Sequence, residues 1–561
     1  MIASSSASLY RLLLASLFAC IGALGSWAAA CAAEQQARPN FVVFLADDMG
    51  WSDLGCYGGE VETPNLDRLA SRGLRFTQFY NTARCWPTRS ALLTGYYPQQ
   101  IRSDPQRGRF ASWTLTLPQV LAPLGYRSYH TGKWHVPGAP EPCADGGFDH
   151  SYYLIEYNRN FSPGKHSLDG APLPPVERGS GYYSTTAITD YALGFLKEHA
   201  AEHDQAPFFL YVAYIVPHFP LHALEQDIAR YRGKFDQGWP ALRAARHARQ
   251  KEMGLVNCEL SEPEPKITAP SGKESDLEIL GPGETRHAEP WDSLTEEQKR
   301  FQAMKLEIHA AMVDRMDQEI GRVVKQLEAM DALENTVILF LSDNGASAEV
   351  MVRGDGHDRS APPGSADTFL CLGPGGSTVA NTPFRRHKIW VHEGGIATPL
   401  VVHWPRGIAA RGELRHNPGH VINLVPTLLE LAGGTEAGQS THADAPPMPG
   451  RSLVPALKND GTVSHDYLFF HHSGNRALRE GDWKLVSAAD EADAWELYNL
   501  ATDRAESKNL AAEQPDRVQA MAARWQALQD EFTRQADAGQ PPPQTKGKGK
   551  AKESKKAKAK Q

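Results

Sequence analysis

The chain has 561 residues, of which 41% are hydrophobic and 22% are charged, a composition that excludes intrinsic disorder for most of its length. Its net charge is −8, but eight lysines and one glutamate lie between Lys546 and Lys560, which leaves −15 for the rest. The strong negative charge of the chain outside this tail argues against a nucleic-acid-binding protein. At about 150 residues per domain, the length predicts two to four domains.

The N-terminus has the pattern of an export signal. Arg11 is the single charge in residues 1–33, and the apolar run 12–24 leads through small residues to Glu34. The run is too short for a comfortable membrane span, which favours a signal peptide over an N-terminal anchor. We therefore expect an exported protein, periplasmic or secreted. The small residues before Cys31 also fit a weak lipoprotein cleavage box, and we expect membrane attachment only if Cys31 is lipidated.

The cysteines beyond the signal number five and are widely scattered. No Cys-x-x-Cys pair is present, which argues against a zinc ribbon or a thioredoxin-like motif. An oxidising compartment would allow one or two disulfides, but the odd count indicates that one cysteine has another role. The pairing is left open among Cys56, Cys143, Cys258 and Cys371, and the fifth is Cys85.

Four continuous apolar runs have the pattern of strands buried on both faces of a sheet. Helix-type spacing of apolar residues lies between them and is clearest from Ile308 to Leu327. This alternation predicts an α/β fold, with a large mixed, mainly parallel sheet sandwiched by helices. The predicted strands are 40–46, 207–214, 336–342 and 399–404, with a further strand at 126–130, and the other predicted helices are 65–72, 117–124, 188–198 and 424–431.

Composition divides the chain into a signal peptide, two folded parts and a tail. Within the larger part, Glu225 to Trp291 is charged and lacks sustained periodicity, so we expect a surface excursion there. We interpret the tail as solvated and dispensable, the alternative being that it holds the protein near a polyanion. The predicted parts are residues 1–33 (signal), 39–434 (larger N-terminal domain), 450–535 (smaller C-terminal α+β subdomain, with strands near 467–471, 483–486 and 495–498 and a helix at 515–532) and 540–561 (disordered Lys-rich tail).

Cys85 opens the most informative segment of the chain. The run Cys85-Trp86-Pro87-Thr88-Arg89 is a Cys-x-Pro-x-Arg pattern, and Leu-Thr-Gly follows the arginine four residues later. With these motifs the chain resembles the type I, formylglycine-dependent sulfatases, and within the alkaline phosphatase superfamily it is similar to the arylsulfatases. The alternative, an ordinary buried cysteine before a helix, is disfavoured by the combined motif.

The resemblance implies a modified nucleophile and a partner enzyme. In the family, a separate formylglycine-generating enzyme converts the cysteine at the position of Cys85 to Cα-formylglycine. One hydroxyl of the hydrated aldehyde attacks sulfur, the other loses its proton, and C–O cleavage expels sulfate and regenerates the aldehyde. A serine nucleophile would instead form a sulfate ester with the enzyme, and water would have to hydrolyse that ester in a second difficult step. By the same resemblance, Arg89 holds the modified side chain.

Oxygen-bearing side chains follow two of the predicted strands. Asp47 and Asp48 end the first strand, and Asp343 and Asn344 follow the strand 336–342. Carboxyl ends of parallel strands meet at one edge of a sheet, and a set of oxygen ligands without His or Cys suits Ca²⁺ or Mg²⁺ better than Zn²⁺. Either pair alone is more often a turn or a helix cap. The family resemblance implies one Ca²⁺ ion bound at these four positions.

Three further motifs match the family. Lys133 and His135 stand in a Gly-Lys-x-His motif, and His218 in a Pro-His-x-Pro motif. The resemblance makes Lys133 a sulfate contact, His135 a partner that accepts a proton from the nucleophile, and His218 a proton donor to the leaving alcohol. His222 fits a surface position at least as well as a substrate contact and is not assigned.

Lys388 lies in a cluster of cationic side chains, five residues before Glu393-Gly394-Gly395. The resemblance makes Lys388 a second catalytic lysine, which contacts the sulfate and the leaving oxygen. Arg385, Arg386 and His387 stand beside it, and spacing alone leaves open which cation points inward. With Ca²⁺, Arg89 and the two lysines, the predicted site has a net positive charge inside an acidic protein, as an anion-binding site requires.

The resemblance covers about residues 39 to 510, and residues 381–404 are closest to bacterial arylsulfatases. Three positions depart from the family's pattern. Tyr96 stands where arginine is common, Trp86 is bulky for its place between Cys and Pro, and Asn423 stands where aspartate is usual. None of them is a catalytic position, so they bear on specificity and on the efficiency of cysteine modification.

Three functions remain in competition. The first is hydrolysis of sulfate monoesters, either aryl sulfates or sulfated carbohydrates, to an alcohol and inorganic sulfate. The second is a formylglycine-dependent phosphonate monoester or phosphodiester hydrolase, which shares Cys-x-Pro-x-Arg but resembles this chain less elsewhere. The third, a non-catalytic protein that binds sulfated glycans, would be expected to lack an essential residue, and none is missing. We predict a sulfatase and leave its sulfated substrate open.

Overall fold

A computed structural model describes residues 38–267, 272–434, 445–491 and 494–540. The predicted signal peptide, Cys31 and the Lys-rich tail beyond residue 540 lie outside these ranges. No helix among the described residues is both long and apolar enough to cross a membrane.

Most of the described chain is built around one mixed sheet. Its strands are β1 (Asn40–Asp47), β2 (Leu74–Tyr80), β3 (Arg127–Gly132), β4 (His150–Leu154), β5 (His166–Leu168), β6 (Ala171–Pro172), β7 (Phe208–Pro217), β8 (Thr336–Ser342), β9 (Ala397–His403), β10 (Glu413–Arg415) and β11 (Gly419–His420). The order is β10-β2-β9-β8-β1-β7-β3-β4-β5-β6, and β11 also pairs with β2.

The central strands β8, β1, β7, β3 and β4 are parallel, so their carboxyl ends share one edge of the sheet. β9 is antiparallel to both of its neighbours, β2 and β8. It therefore begins at the edge where the parallel strands end. The segment that precedes β9, Glu393 to Ile396, reaches that edge from the opposite direction.

Helices cover both faces of the sheet, as predicted. They are α1 (Pro64–Ser71), α2 (Cys85–Thr94), α3 (Leu117–Leu121), α4 (Ser184–Glu202), α5 (Glu225–Ile228), α6 (Gly238–Glu252), α7 (Glu274–Leu280), α8 (Glu296–Ala329), α9 (Gly373–Ala380), α10 (Glu393–Ile396), α11 (Leu424–Leu431), α12 (Val454–Lys458) and α13 (Pro515–Ala538). Val42 and Phe44 of β1 pack in a core with α8, whereas Phe41 and Val43 pack in a second core with α2 and α11. Because successive side chains of a strand point to opposite faces, β1 contributes to the hydrophobic cores on both faces of the sheet.

The segment from Glu225 to Trp291 differs from the expected irregular excursion, because it contains α5, α6 and α7. Helix α6 buries Trp239 and Leu242 together with Arg246 and Gln250. Its buried face is partly polar, and Arg246 donates there to carboxylate and carbonyl oxygens. A helix prediction that rests on apolar periodicity misses such a face.

A smaller antiparallel sheet and α13 form the C-terminal subdomain. The strands are β12 (Leu468–His472), β13 (Asn475–Glu480), β14 (Trp483–Ser487) and β15 (Glu496–Asn499), paired in that order. Trp525 of α13 stacks on Phe469 of β12, with ring centroids 5.4 Å apart. Strand β13 is absent from the sequence prediction, because Asn475, Arg476, Arg479 and Glu480 interrupt its apolar pattern.

Buried charges join the small sheet to the large one. Glu393 lies 3.0 Å from Lys484 of β14 and 3.0 Å from Arg504. It also accepts a hydrogen bond from the Tyr80 hydroxyl of β2 at 3.0 Å, and Lys484 lies 2.7 Å from Glu506. All five side chains are buried. Because an unpaired buried charge is strongly destabilising, these contacts fix the subdomain against the sheet.

Replacement of Lys484 by methionine tests this anchor. Lys484→Met leaves Glu393 and Glu506 buried with one cation fewer, and we expect the free energy of unfolding in urea to fall by about 3–5 kcal/mol. Lys508→Met is the control, because the Lys508 side chain is 73% exposed and its loss is worth at most about 0.5 kcal/mol. Equal effects of the two variants would contradict the anchoring role of Lys484.

Candidate active site

The carboxyl edge of the large sheet collects the side chains that the sequence analysis singled out. Asp48 and His135 have left-handed backbones there, with φ of 64° and 45°, and such strained backbone is typical of functional sites. The predicted residues that lie together at this edge are Asp47 and Asp48 at the end of β1, Lys133 and His135 after β3, His218 after β7, Asp343 and Asn344 after β8, Lys388 before α10, and Cys85 and Arg89 on α2. All of them except His135 are buried.

Carboxylates converge at the end of β1. Single ligand atoms of Asp47, Cys85 and Asp343 lie within 4.8 Å of one another, and so do those of Asp47, Asp48 and His218. The second group adds an imidazole to the predicted set of oxygen ligands. Cys85 is the first residue of α2, and its thiol lies beside the carboxylates of Asp47 and Asp343.

Two oxygens of this cluster have no hydrogen-bond donor. Asn344 Nδ2 donates to Asp48 Oδ1 at 2.7 Å, but Asn344 Oδ1 and Asp47 Oδ1 are buried without a partner among the described residues. Buried polar atoms are normally satisfied, and unpaired oxygens beside carboxylates are the donors that a hard divalent cation takes. Asp47, Asp48, Asp343 and Asn344 therefore fit a Ca²⁺ ion.

Arg89 is fully buried and holds two parts of the site together. Its Nε and Nη2 donate to Asp343 Oδ2 at 3.0 and 2.8 Å, and its Nη1 donates to the Lys133 carbonyl at 2.8 Å. Burial disfavours the charged guanidinium, but Asp343 and Asp47 outweigh this and raise the pKa of Arg89. The arginine is therefore a fixed positive charge that links β8 to the segment after β3.

Each of the two lysines pairs with an aspartate. Lys133 Nζ lies 2.6 Å from Asp47 Oδ2, and Lys388 Nζ lies 2.7 Å from Asp48 Oδ2. Burial would lower the pKa of Lys388, but the charges of Asp48 and Glu349 raise it, so the ammonium is charged at neutral pH. Asp47 in the same way outweighs burial and raises the pKa of Lys133. Both lysines are thus charged and held in position by their aspartates.

The structure decides which cation near Lys388 points into the site. Arg385 lies 2.6 Å from Glu264, and Arg386 pairs with Glu264 at 3.0 Å and with Glu491. His387 Nδ1 shares a hydrogen bond with the Ser377 hydroxyl. Lys388 alone among the four contacts the carboxylates at the end of β1. The carboxylates that separate the two arginines from Lys388 come from distant parts of the chain, which is why spacing left the choice open.

Both histidines of the site are neutral at neutral pH. Burial lowers the pKa of His135 to about 2, and the neighbouring Lys133 charge adds to this effect. Burial also lowers the pKa of His218 to about 4, although Asp48 and Asp47 oppose the shift. His218 Nδ1–H donates to the Phe219 carbonyl at 2.5 Å, which leaves Nε2 as the nitrogen that lies 3.6 Å from Asp48.

Two residues of the site were missed by the sequence analysis. Glu349 is buried 3.0 Å from Lys388, whose charge outweighs burial and lowers the pKa of the carboxyl. Tyr157 lies over Lys133, whose ammonium is 4.2 Å from the ring centroid, and its ring centroid is 5.3 and 6.0 Å from those of His135 and His218. Neither residue belongs to a motif. The one signal for Glu349 was its position six residues after Asp343, in the loop that leaves β8.

The five described cysteines are free thiols, so no disulfide forms among them. Burial raises the pKa of the Cys85 thiol, an effect that Lys133 opposes. The unmodified side chain is therefore a neutral thiol at neutral pH, and a neutral thiol is a poor nucleophile.

A sulfatase family model matches residues 39–434, more than half of the chain. The chain belongs to the sulfatase family. A second model, the C-terminal region of N-sulphoglucosamine sulphohydrolase, matches residues 385–533. As a sulfatase, the protein is a sulfuric ester hydrolase, so the resemblance to type I sulfatases is confirmed and an enzyme is favoured over the non-catalytic binding protein.

Sequence relatives cover most of this sulfatase. A sulfatase of Schizosaccharomyces pombe is 31% identical over 535 residues, which cover 87% of this chain and 93% of the relative. An arylsulfatase of Klebsiella aerogenes is 31% identical over 439 residues, covering 72% and 88%. An N-acetylglucosamine-6-O-sulfatase of Bacteroides thetaiotaomicron is 25% identical over 539 residues, covering 85% and 83%.

Solved structures confirm the fold. One, solved in complex with its substrate D-glucosamine-2-N,6-O-disulfate, has a TM-score of 0.61 at 22% identity and covers 89% of this chain and 98% of its own. The PsFucS1 sulfatase from Pseudoalteromonas has a TM-score of 0.58 at 20% identity, covering 90% and 92%.

Removal of the inward lysine should cost activity in protein that still folds, although Asp48 and Glu349 lose a buried partner and some stability is lost as well. Lys388→Met deletes a charge that contacts Asp48, and we expect kcat/KM for 4-nitrophenyl sulfate to fall by about 10²–10³. Arg385→Lys keeps a positive charge beside Glu264 and should retain activity. Thermal melts monitored by circular dichroism check that both variants fold. Equal losses in the two variants would contradict the assignment of Lys388 as the inward cation.

Proposed function

We propose that this sulfatase hydrolyses sulfate monoesters of carbohydrates, with aryl sulfates as surrogates, through a formylglycine made from Cys85. The proposal rests on the position of the Cys85 thiol. It is buried at the start of α2, within one 4.8 Å cluster with Asp47 and Asp343. Lys133 and Lys388 both act on it electrostatically. This arrangement suits an anionic ester attacked at its central atom.

The cations of the site bind the sulfate group. Formylglycine supplies a hydrated aldehyde, one hydroxyl of which is the nucleophile. Lys133 and Lys388 contact the sulfate oxygens and stabilise the negative charge that grows on the leaving oxygen in the transition state. Because Asp47 and Asp48 already hold the two ammonium groups, they are oriented before the substrate arrives. Arg89 holds the Asp343 side chain and the Lys133 backbone in fixed positions and so orients the modified side chain.

The two histidines move protons. His135 is a neutral imidazole whose Nδ1 is buried without a partner among the described residues. The negative charge of a bound sulfate ester would offset the Lys133 charge that helps to lower the pKa of His135, and Nδ1 then accepts a proton from the nucleophile. His218 must gain a proton before it can donate one. A bound sulfate ester places negative charge beside His218, which favours the protonated imidazolium. Its Nε2 then donates to the leaving alcohol oxygen.

Asp47, Asp48, Asp343 and Asn344 would hold the Ca²⁺ ion that their donor set fits. Because three carboxylates there already face three cations, a bound Ca²⁺ would make the site net positive and would polarise a sulfate oxygen. The contacts with the neighbouring lysines leave Asp47 Oδ1 and Asn344 Oδ1 without a partner among the described residues.

Sulfated carbohydrates are the substrates that the relatives favour. The Bacteroides thetaiotaomicron relative is named for N-acetylglucosamine 6-O-sulfate, and a mouse relative that is 26% identical is named an N-acetylgalactosamine-6-sulfatase. An export signal fits an enzyme that meets such glycans outside the cytoplasm. The proposal also includes the formylglycine-generating enzyme as the partner during maturation.

Mass spectrometry of the Cys85 peptide tests the modified nucleophile. In protein from its native host, or co-expressed with the modifying enzyme, we expect a loss of about 18 Da at Cys85, because CH₂SH becomes CHO. The peptide of Cys371, which is also buried, is the control and keeps its thiol mass. An intact thiol at Cys85 in both settings would rule out the formylglycine mechanism.

The same preparation separates the two enzyme proposals. We expect 4-nitrophenyl sulfate to be hydrolysed faster than bis(4-nitrophenyl) phosphate. The reverse order would support the phosphodiester hydrolase. Cys85→Ala should abolish turnover of both compounds.

A thermal shift with calcium tests the metal site. Ca²⁺ that binds only the folded chain should raise the melting temperature, and at a hundredfold excess over Kd it adds about 2.7 kcal/mol of stability. Asp48→Asn removes a ligand charge and should reduce the shift. Asp317→Asn is the control: Asp317 is also buried, but it accepts from the backbone N–H groups of Asn65 and Leu66 at 3.0 and 2.8 Å. An undiminished shift in Asp48→Asn would contradict the site.

A further inference from the structure

A cleft opens beside the proposed proton donor. Its lining includes Pro220 and Phe369, and the Phe369 ring lies tilted against the Phe219 ring, with ring centroids 6.2 Å apart. The centroid of the Phe219 ring lies in turn 4.1 Å from that of the His218 ring. If His218 donates a proton to the leaving alcohol oxygen, the carbon that carries this oxygen lies on the His218 side of the site. The body of the alcohol therefore lies toward this cleft.

Positive side chains line the cleft. Arg159, Arg178 and Arg353 all contribute to it. Arg159 lies 2.5 Å from Asp355, and Arg178 lies 3.0 Å from Asp355 and also pairs with Asp367. These two arginines are thus neutralised by carboxylates of the same loop region.

Arg353 is the cation of the cleft that is available to a ligand. It is exposed, and it has no ion pair with any described residue. Its guanidinium lies 5.9 Å from the centroid of the Phe219 ring, and the ammonium of Lys388 lies 5.3 Å from the same centroid. Lys388, which in the proposed mechanism contacts the scissile sulfate, and Arg353 in the neighbouring cleft therefore both lie close to the same aromatic ring.

His222 adds an unsatisfied acceptor to the lining. Its Nε2 lies 2.7 Å from the Thr368 carbonyl, which only accepts, so Nε2 carries the proton. Nδ1 is then an acceptor, and it is buried without a partner among the described residues. Burial lowers the pKa of His222 to about 4, which keeps the imidazole neutral. A hydroxyl is the donor that suits this nitrogen, and His222, which the sequence analysis left unassigned, is a buried part of the cleft.

We propose that this cleft is a subsite for a second anionic group on the sugar that carries the scissile sulfate, with Arg353 as its contact and His222 as the acceptor for a sugar hydroxyl. The inference rests on the proposed function and deepens it. It makes the preferred substrate a carbohydrate with a further sulfate or carboxylate rather than a monosulfated sugar or an aryl sulfate. Arg353 and His222 are then residues that determine specificity.

The test compares pairs of sugars that differ by one sulfate, such as D-glucosamine 6-sulfate and D-glucosamine-2-N,6-O-disulfate, together with the matching galactosamine pair. We expect the wild-type enzyme to prefer the disulfated member of at least one pair. Arg353→Gln should reduce the ratio of the two kcat/KM values about tenfold, since a charge-assisted hydrogen bond is lost. Arg353→Lys should restore part of the ratio. Arg534→Gln removes an exposed arginine of α13 and should leave the ratio unchanged.

A binding measurement separates failure of the subsite from failure of the proposed chemistry. Calorimetric titration of the catalytically silent Cys85→Ala chain with each sugar reports affinity without turnover. Tighter binding of the disulfated sugar that disappears in Cys85→Ala/Arg353→Gln supports the subsite even if the nucleophile is assigned wrongly. Equal or undetectable binding of both members of every pair overturns the subsite, whereas absent turnover of 4-nitrophenyl sulfate by the matured enzyme counts against the proposed function alone.

Discussion

Three buried carboxylates at one edge of the sheet each hold one cation, and the site depends on this pairing. Asp47 holds Lys133, Asp48 holds Lys388, and Asp343 holds Arg89, with contacts of 2.6 to 2.8 Å. Six such charges are tolerated in the interior because every one has a partner of opposite sign nearby. The parallel register of β1 and β8 sets Ala46 opposite Ser342, which brings the carboxylates that follow these strands side by side. The positions of these three cations therefore follow from the register of the sheet.

The segment before β9 connects this cluster to the C-terminal subdomain. Gly345 lies two residues after Asp343, and its backbone N–H donates to the Gly395 carbonyl at 3.0 Å. A side chain at Gly345 would come within 1.8 Å of the Gly394 carbonyl oxygen, so only glycine allows this approach. Two residues from Gly395, Glu393 makes the buried ion pairs with Lys484 and Arg504. Gly345 is thus required for close packing of the two segments, and the subdomain is fixed to the segment that follows Lys388.

Much of this arrangement can be read from apolar runs and their ends. The strands around Asp47 and Asp343 have nearly the predicted bounds, because a strand buried on both faces leaves a continuous apolar run. Elements with polar buried residues escaped prediction. Helix α6 buries Arg246, and β13 carries Arg479, whose guanidinium donates to the Tyr80 hydroxyl at 2.7 Å. In both cases the partner that makes burial of the charge acceptable lies far away in sequence.

The sequence by itself determined the family, the α/β fold and the set of residues at the carboxyl edge, because short motifs and strand ends are local features. Only the tertiary structure decided which cation beside Glu393 enters the site, that Glu349 and Tyr157 belong to it, and that His222 lines a cleft with Arg353. The choice of Lys388 depends on its contact with Asp48 in a distant segment of the chain. Glu349 and Tyr157 are assigned by their contacts with Lys388 and Lys133, which no short motif contains. No pattern within a single stretch of chain records which buried charges meet, since that depends on the register of the sheet and on the loops that cross its edge.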